Sequence, residues 1–117
     1  MIFRYTILYV DDVPATLDFY EQAFGFARGF LHEGKDYGEL ITGETKLAFS
    51  STALMRQLDK NPAAPVADAP TFEIAFETDD VCAALAKVID AGATWFRTPV
   101  RNHGARRLPM SVIQMGT

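Results

Sequence analysis

Cysteine is almost missing from this sequence: Cys82 stands alone, so no disulfide can close within the chain, and a reducing cytoplasm is the expected setting. An excess of positive charge is missing too. The net charge is −4 at pH 7, and the basic residues are scattered apart from Arg106-Arg107. That excludes the clustered cations that nucleic acid or an anionic membrane surface would require. No run reaches membrane-spanning length, and the opening MIFRYTILYV passes straight into a charged turn, which is not the layout of a signal peptide. What remains is 49% hydrophobic and 22% charged over 117 residues. This is the balance of one globular domain, long enough to bury a core without staples.

An internal repeat organises the chain. YTILYVDDVPATL, from Tyr5 to Leu17, lies over EIAFETDDVCAAL, from Glu73 to Leu85, at a constant offset of 68 positions. Asp11-Asp12-Val13 falls on Asp79-Asp80-Val81, Ala15 on Ala83 and Leu17 on Leu85. Each segment is strand-like, then acidic, then helical.

In the first copy, Phe3 to Val10 is nearly all apolar, as for a strand covered on both faces. Asp11-Asp12 ends it and supplies a helix cap, and Pro14 sits in the first turn, where its missing N–H costs nothing. Leu17, Phe19-Tyr20, Ala23 and Phe24 recur at helical spacing, and Gly25 closes the helix. Three strands are expected next, at about Phe26–Glu33, Tyr37–Thr42 and Lys46–Ser51, separated by Gly34-Lys35-Asp36 and Gly43-Glu44. Leu54 to Leu58 can form a helical turn, and Asn61 to Pro70 reads as a linker. In the second copy Asp79 or Asp80 caps a helix that buries Val81, Ala84-Leu85 and Val88 and stops at Gly92, and Thr94–Arg97 is a further strand. The expected class is α+β, one domain over residues 1–117. Module one covers residues 1–51, a linker 52–70, and a truncated module two 71–117.

YTILYVDDVPATLDFYEQAFGF resembles the opening module of the vicinal-oxygen-chelate superfamily, which groups glyoxalases, bleomycin-resistance proteins and extradiol dioxygenases. FEIAFETDDVCAALAKVIDAGA is similar to the opening of that superfamily's second module. With GELITGETKLAFSS between them, the resemblance covers about Phe3 to Pro99. It implies two βαβββ modules whose sheets curl into a ligand cleft, here with the second incomplete. The tail RNHGARRLPMSVIQMGT departs from the family ending of a Trp-Gly motif, a strand, an Asp-Pro-x-Gly turn and a last strand with a Glu. Back-translated with chosen synonymous codons and read from the third base of the Asn102 codon, residues 102–117 become PWGKTVAYVRDPDGY, which is similar to that ending. A frameshift near Arg101–Asn102 is therefore expected in the gene.

The resemblance also implies where a metal would be held. Its ligand positions fall on Tyr5, on Ala48 and on Glu73, with the last in the strand replaced by the altered tail. Only Glu73 suits a hard divalent ion, so no metal or other cofactor is expected. His32 falls at a hairpin end, where a surface place is expected, and His103 lies in the tail. Cys82, at a helix start, faces no identifiable base and is expected to be a small helix residue.

Aromatic residues that could line the cleft are Tyr5, Tyr9, Tyr37, Phe49, Phe72 and Trp95. Tyr5, Tyr37, Phe49, Phe72, Trp95 and the carboxylate of Glu73 are the expected ligand-binding set. They point to a metal-independent protein that binds or sequesters a small aromatic or cationic compound. The alternatives are a metal-dependent lyase, isomerase or dioxygenase of the same fold, or an inactive relic. A sheet lacking strands leaves an open edge, so a homodimer is expected through the region after Thr98.

Overall fold

The computed structural model describes residues 1–66, 69, 71–95, 107–109 and 113–115, without the side chains of Trp95 and of the last two segments. The chain divides into two compact units, residues 1–63 and 64–117.

The first unit runs β1 (Tyr5–Val10), α1 (Val13–Phe24), β2 (Ala27–Leu31), β3 (Tyr37–Ile41), β4 (Lys46–Ser51) and α2 (Thr52–Gln57). Its four strands form one open, mixed sheet in the order β1-β4-β3-β2. β1 pairs parallel with β4, and the two remaining ladders are antiparallel. The strand bounds expected from the sequence hold to within two residues at each end, and β4 matches at both.

Local chemistry fixes α1 at both ends. Asp12 is extended (φ −130°, ψ 101°), and its Oδ1 accepts the Ala15 N–H at 3.0 Å. Pro14 occupies the first turn, as expected. Gly25 ends the helix at φ 74°, its N–H donating to the Glu21 carbonyl at 2.9 Å. Val13, Thr16, Leu17, Tyr20 and Ala23 are buried at helical spacing and face the sheet. The sheet receives them with Leu40, Leu47 and Phe49, and the Tyr20 and Phe49 rings lie 4.9 Å apart. Gly38 permits the close approach: a Cβ there would fall 2.6 Å from Leu17 Cδ1. From β2, Arg28 reaches back to α1 and donates to Glu21 and Asp18, at 2.6 Å in each case.

One expectation fails in β1. Its apolar composition reads as coverage on both faces, but the strand alternates. Thr6, Leu8 and Val10 are half-buried, while Tyr5, Ile7 and Tyr9 remain 41–44% exposed. Apolar composition reports what a strand can bury, not what covers it.

In the second unit, β5 (Ala75–Glu77) leads into α3 (Val81–Asp90), followed by β6 (Ala93–Trp95), β7 (Arg107–Pro109) and β8 (Ile113–Met115). The helix start repeats that of α1. Asp80 adopts φ −136°, ψ 95°, and its Oδ1 accepts the Ala83 N–H at 2.9 Å. Val88 is fully buried, Val81, Ala84 and Leu85 are half-buried, and Gly92 follows the helix at φ 109°. The sheet does not repeat: β5 pairs antiparallel with β7, and β6 antiparallel with β8, in two separate two-stranded ladders. The architecture is α+β, with a complete βαβββ module first and an incomplete one second. The linker expected over residues 52–70 begins with α2, whose Met55 is buried. Arg97, Arg101, Asn102, His103 and Arg106 lie outside the described residues.

Candidate functional site

The register of the first sheet assigns its two faces. In β1 and β4, Tyr5, Ile7 and Tyr9 are aligned with Lys46, Ala48 and Ser50. In β3 and β4, Tyr37 is aligned with Ser50 and Glu39 with Ala48. Phe30 of β2 is aligned with Glu39. Partners in register share a face. Phe49, next along β4, points at α1, so all of these point away from the helix. The open face is therefore an aromatic and aliphatic surface with a carboxylate near its middle.

Glu39 organises its polar part. Tyr37 donates its hydroxyl to Glu39 Oε2 at 2.8 Å, and Lys46 Nζ donates to Oε1 at 3.2 Å. The Glu39 side chain is only 12% exposed. Burial, then the hydrogen bond to Glu39 and its negative charge, push the Tyr37 phenol well above its ordinary pKa, so it stays a donor. Two ammonium groups lie over tyrosine rings: Lys46 Nζ is 6.0 Å from the Tyr5 centroid, and Lys60 Nζ is 5.9 Å from that of Tyr9. Between Tyr9 and Tyr37 in register sits Ser50. It is 1% exposed, and its hydroxyl has no hydrogen-bond partner among the described residues.

The expected ligand-binding residues are divided between the two units. Tyr5 and Tyr37 share the open face. Phe49 is fully buried on the opposite side, under α1, where it belongs to the core. Phe72 and Glu73 are exposed and precede β5 in the second unit. Trp95 ends β6, and its side chain lies outside the described residues. The sequence reading missed Ile7, Glu39, Lys46, Ser50 and Lys60. The alternation in YGELI and KLAFSS places Glu39 and Ser50 on one face with Tyr37, a signal that was there to be read. His32 is on the surface with Asp36, its Nδ1 2.9 Å from Oδ1, and Cys82 is exposed on α3.

Of the metal positions that the family resemblance implies, two lie in the first unit, and neither suits a divalent ion there. Tyr5 lies beside the Lys46 ammonium, and Ala48 has no donor atom. Among the described residues, no three His, Cys, Asp or Glu side chains come together to hold an ion.

With this open-faced βαβββ module and the incomplete module that follows it described, the chain belongs to the glyoxalase/bleomycin resistance protein/dioxygenase superfamily, whose family model matches residues 2–108. It is similar in fold to a protein of Agrobacterium tumefaciens solved by solution NMR, with TM-score 0.66 and 20% identity over 91% of this chain and 84% of that one. An integron cassette protein from the mobile metagenome of V. cholerae gives TM-score 0.57 and 25% identity, over 93% and 82% of the two chains. A glyoxalase/bleomycin resistance protein/dioxygenase family enzyme of Burkholderia phytofirmans gives 0.55 and 20%, over 85% and 80%. No curated protein matches the chain. No helix among the described residues is long and apolar enough to cross a membrane.

Proposed function

We propose that this chain binds a small planar organic ligand without a resident metal, in the manner of a sequestering protein, on the open face of its first sheet. One observation carries this reading: Tyr5, Ile7, Tyr9 and Phe30, each 41–50% exposed, share a sheet face whose other side is packed under α1. Such side chains offer flat apolar area at low entropic cost. A ligand covering roughly 150–200 Å² of apolar surface would gain about 4–5 kcal/mol before the costs of association. That corresponds to affinities no better than about millimolar. Tighter binding needs a polar anchor, and Glu39, Lys46 and Tyr37 supply polar groups on this face.

The test is a thermal-shift screen of small aromatic compounds in the presence of a chelator, followed by titration of any ligand found. Tyr9→Ala, at an exposed position, is expected to keep the melting temperature of the free protein within a few degrees and to weaken binding about tenfold. Stoichiometric metal in purified protein, with binding lost when it is removed, would sink the proposal. So would unaltered affinity in Tyr9→Ala.

A further inference from the structure

We propose that the ligand of this face is an aromatic anion, a planar ring bearing a carboxylate or similar oxyanion, and that cationic ligands are disfavoured. The inference rests on the reading of the open face as a binding surface and names its charge preference.

An exposed tyrosine face is ordinarily a place for a ligand cation. Here the chain's own ammonium groups are already there, Lys46 over Tyr5 and Lys60 over Tyr9. An incoming cation would have to displace a tethered group that loses no translational freedom on binding, and would then sit beside it. The two lysines differ in what else they hold. Lys46 is neutralised by Glu39 at 3.2 Å. Lys60 makes no ion pair among the described residues, so its charge is available to an anion near Tyr9. Ser50, aligned with Tyr9, adds a second and independent sign of a ligand: a hydroxyl buried on the open face with no partner among the described residues. Buried hydroxyls are rarely left unmade, and an oxyanion would accept its proton. The net charge of −4 does not forbid this, because charges farther off than about 8–10 Å are screened at physiological salt.

The experiment is calorimetric titration of the full chain at an ionic strength of about 0.15 M with three ring-matched probes: 2-naphthoate, 2-naphthylmethanol and 2-naphthylmethylammonium. The carboxylate is expected to bind roughly tenfold or more tighter than the ammonium, a gap of about 1.4 kcal/mol. Molar salt should narrow that gap. Lys60→Gln, at an exposed position, should remove most of the preference for the carboxylate over the ammonium. Ser50→Ala should weaken the carboxylate severalfold. Equal or tighter binding of the ammonium overturns the proposal, as does an undiminished preference in Lys60→Gln. Binding of the alcohol with no charge preference overturns this inference alone. Failure of all three probes to bind overturns the reading of the face as well.

Discussion

Tyr20 is 5% exposed beneath the first sheet, and burial pushes its phenol up to about pH 12 from an ordinary 10. Below pH 10 the group is neutral in folded and unfolded chains alike. Between 10 and 12 the unfolded chain releases the proton and the fold retains it, so stability falls as pH rises. The loss comes to roughly 2–3 kcal/mol once both states have ionised. Tyr37, raised in the same direction, adds to it. Denaturant midpoints between pH 8 and 12 should fall steeply in the parent protein and less steeply in Tyr20→Phe; parallel curves would show that this phenol is not the source. The neighbouring Phe49 shows where residue-level reading stops. Alternation along KLAFSS separates Leu47 and Phe49 from Lys46, Ala48 and Ser50, but it does not say which set meets the helix. That choice is made by the Tyr20–Phe49 contact, a tertiary fact with no local signature. An aromatic expected to touch ligand is therefore core, and Glu39, unremarked in the sequence, lies on the open face.

At the scale of elements, the two helix starts are the most legible part of the chain. The same Asp-Asp-Val triplet gives the same cap geometry at Asp12 and Asp80, with the side chain accepting the N–H three residues on. Asp12→Ala and Asp80→Ala should each cost about 1 kcal/mol. Because the caps belong to different units, the double variant should lose the sum of the two, as judged by chemical denaturation followed by circular dichroism. A double variant no worse than either single one would show that one helix contributes nothing to cooperative stability. The strands were less legible where pairing is distant. Turn residues at Gly34-Lys35-Asp36 and Gly43-Glu44 announce the hairpins, whereas nothing local in Ala75–Glu77 announces an antiparallel partner at Arg107–Pro109.

For the whole molecule, the sequence showed a repeat and a tail that breaks it. The family match ends at residue 108, and the second unit forms two-stranded ladders where the first forms four strands. A chain carrying PWGKTVAYVRDPDGY in place of residues 102–116 is expected to melt several degrees higher, since about 1 kcal/mol moves the midpoint of a small domain by roughly 4–8 °C. Equal melting temperatures by calorimetry would mean that the present tail was never a damaged one.

The parallel ladder of the first sheet has a kinetic consequence. β2, β3 and β4 meet their neighbours across short turns, but β1 finds its partner only after α1 and both hairpins have been threaded between them: Tyr5 is aligned with Lys46, and Val10 with Ser51. Closing so long a loop costs more chain entropy than closing either hairpin, and β1 lies at an edge of the sheet, with a partner on one side only. Tyr5, Ile7 and Tyr9 all ride on that strand. A compound that grips them would act as a latch on that edge strand. Its signature would be slowed amide exchange across Tyr5–Val10, with α1 little changed; protection gained equally by helix and strand would show that β1 has no such independence.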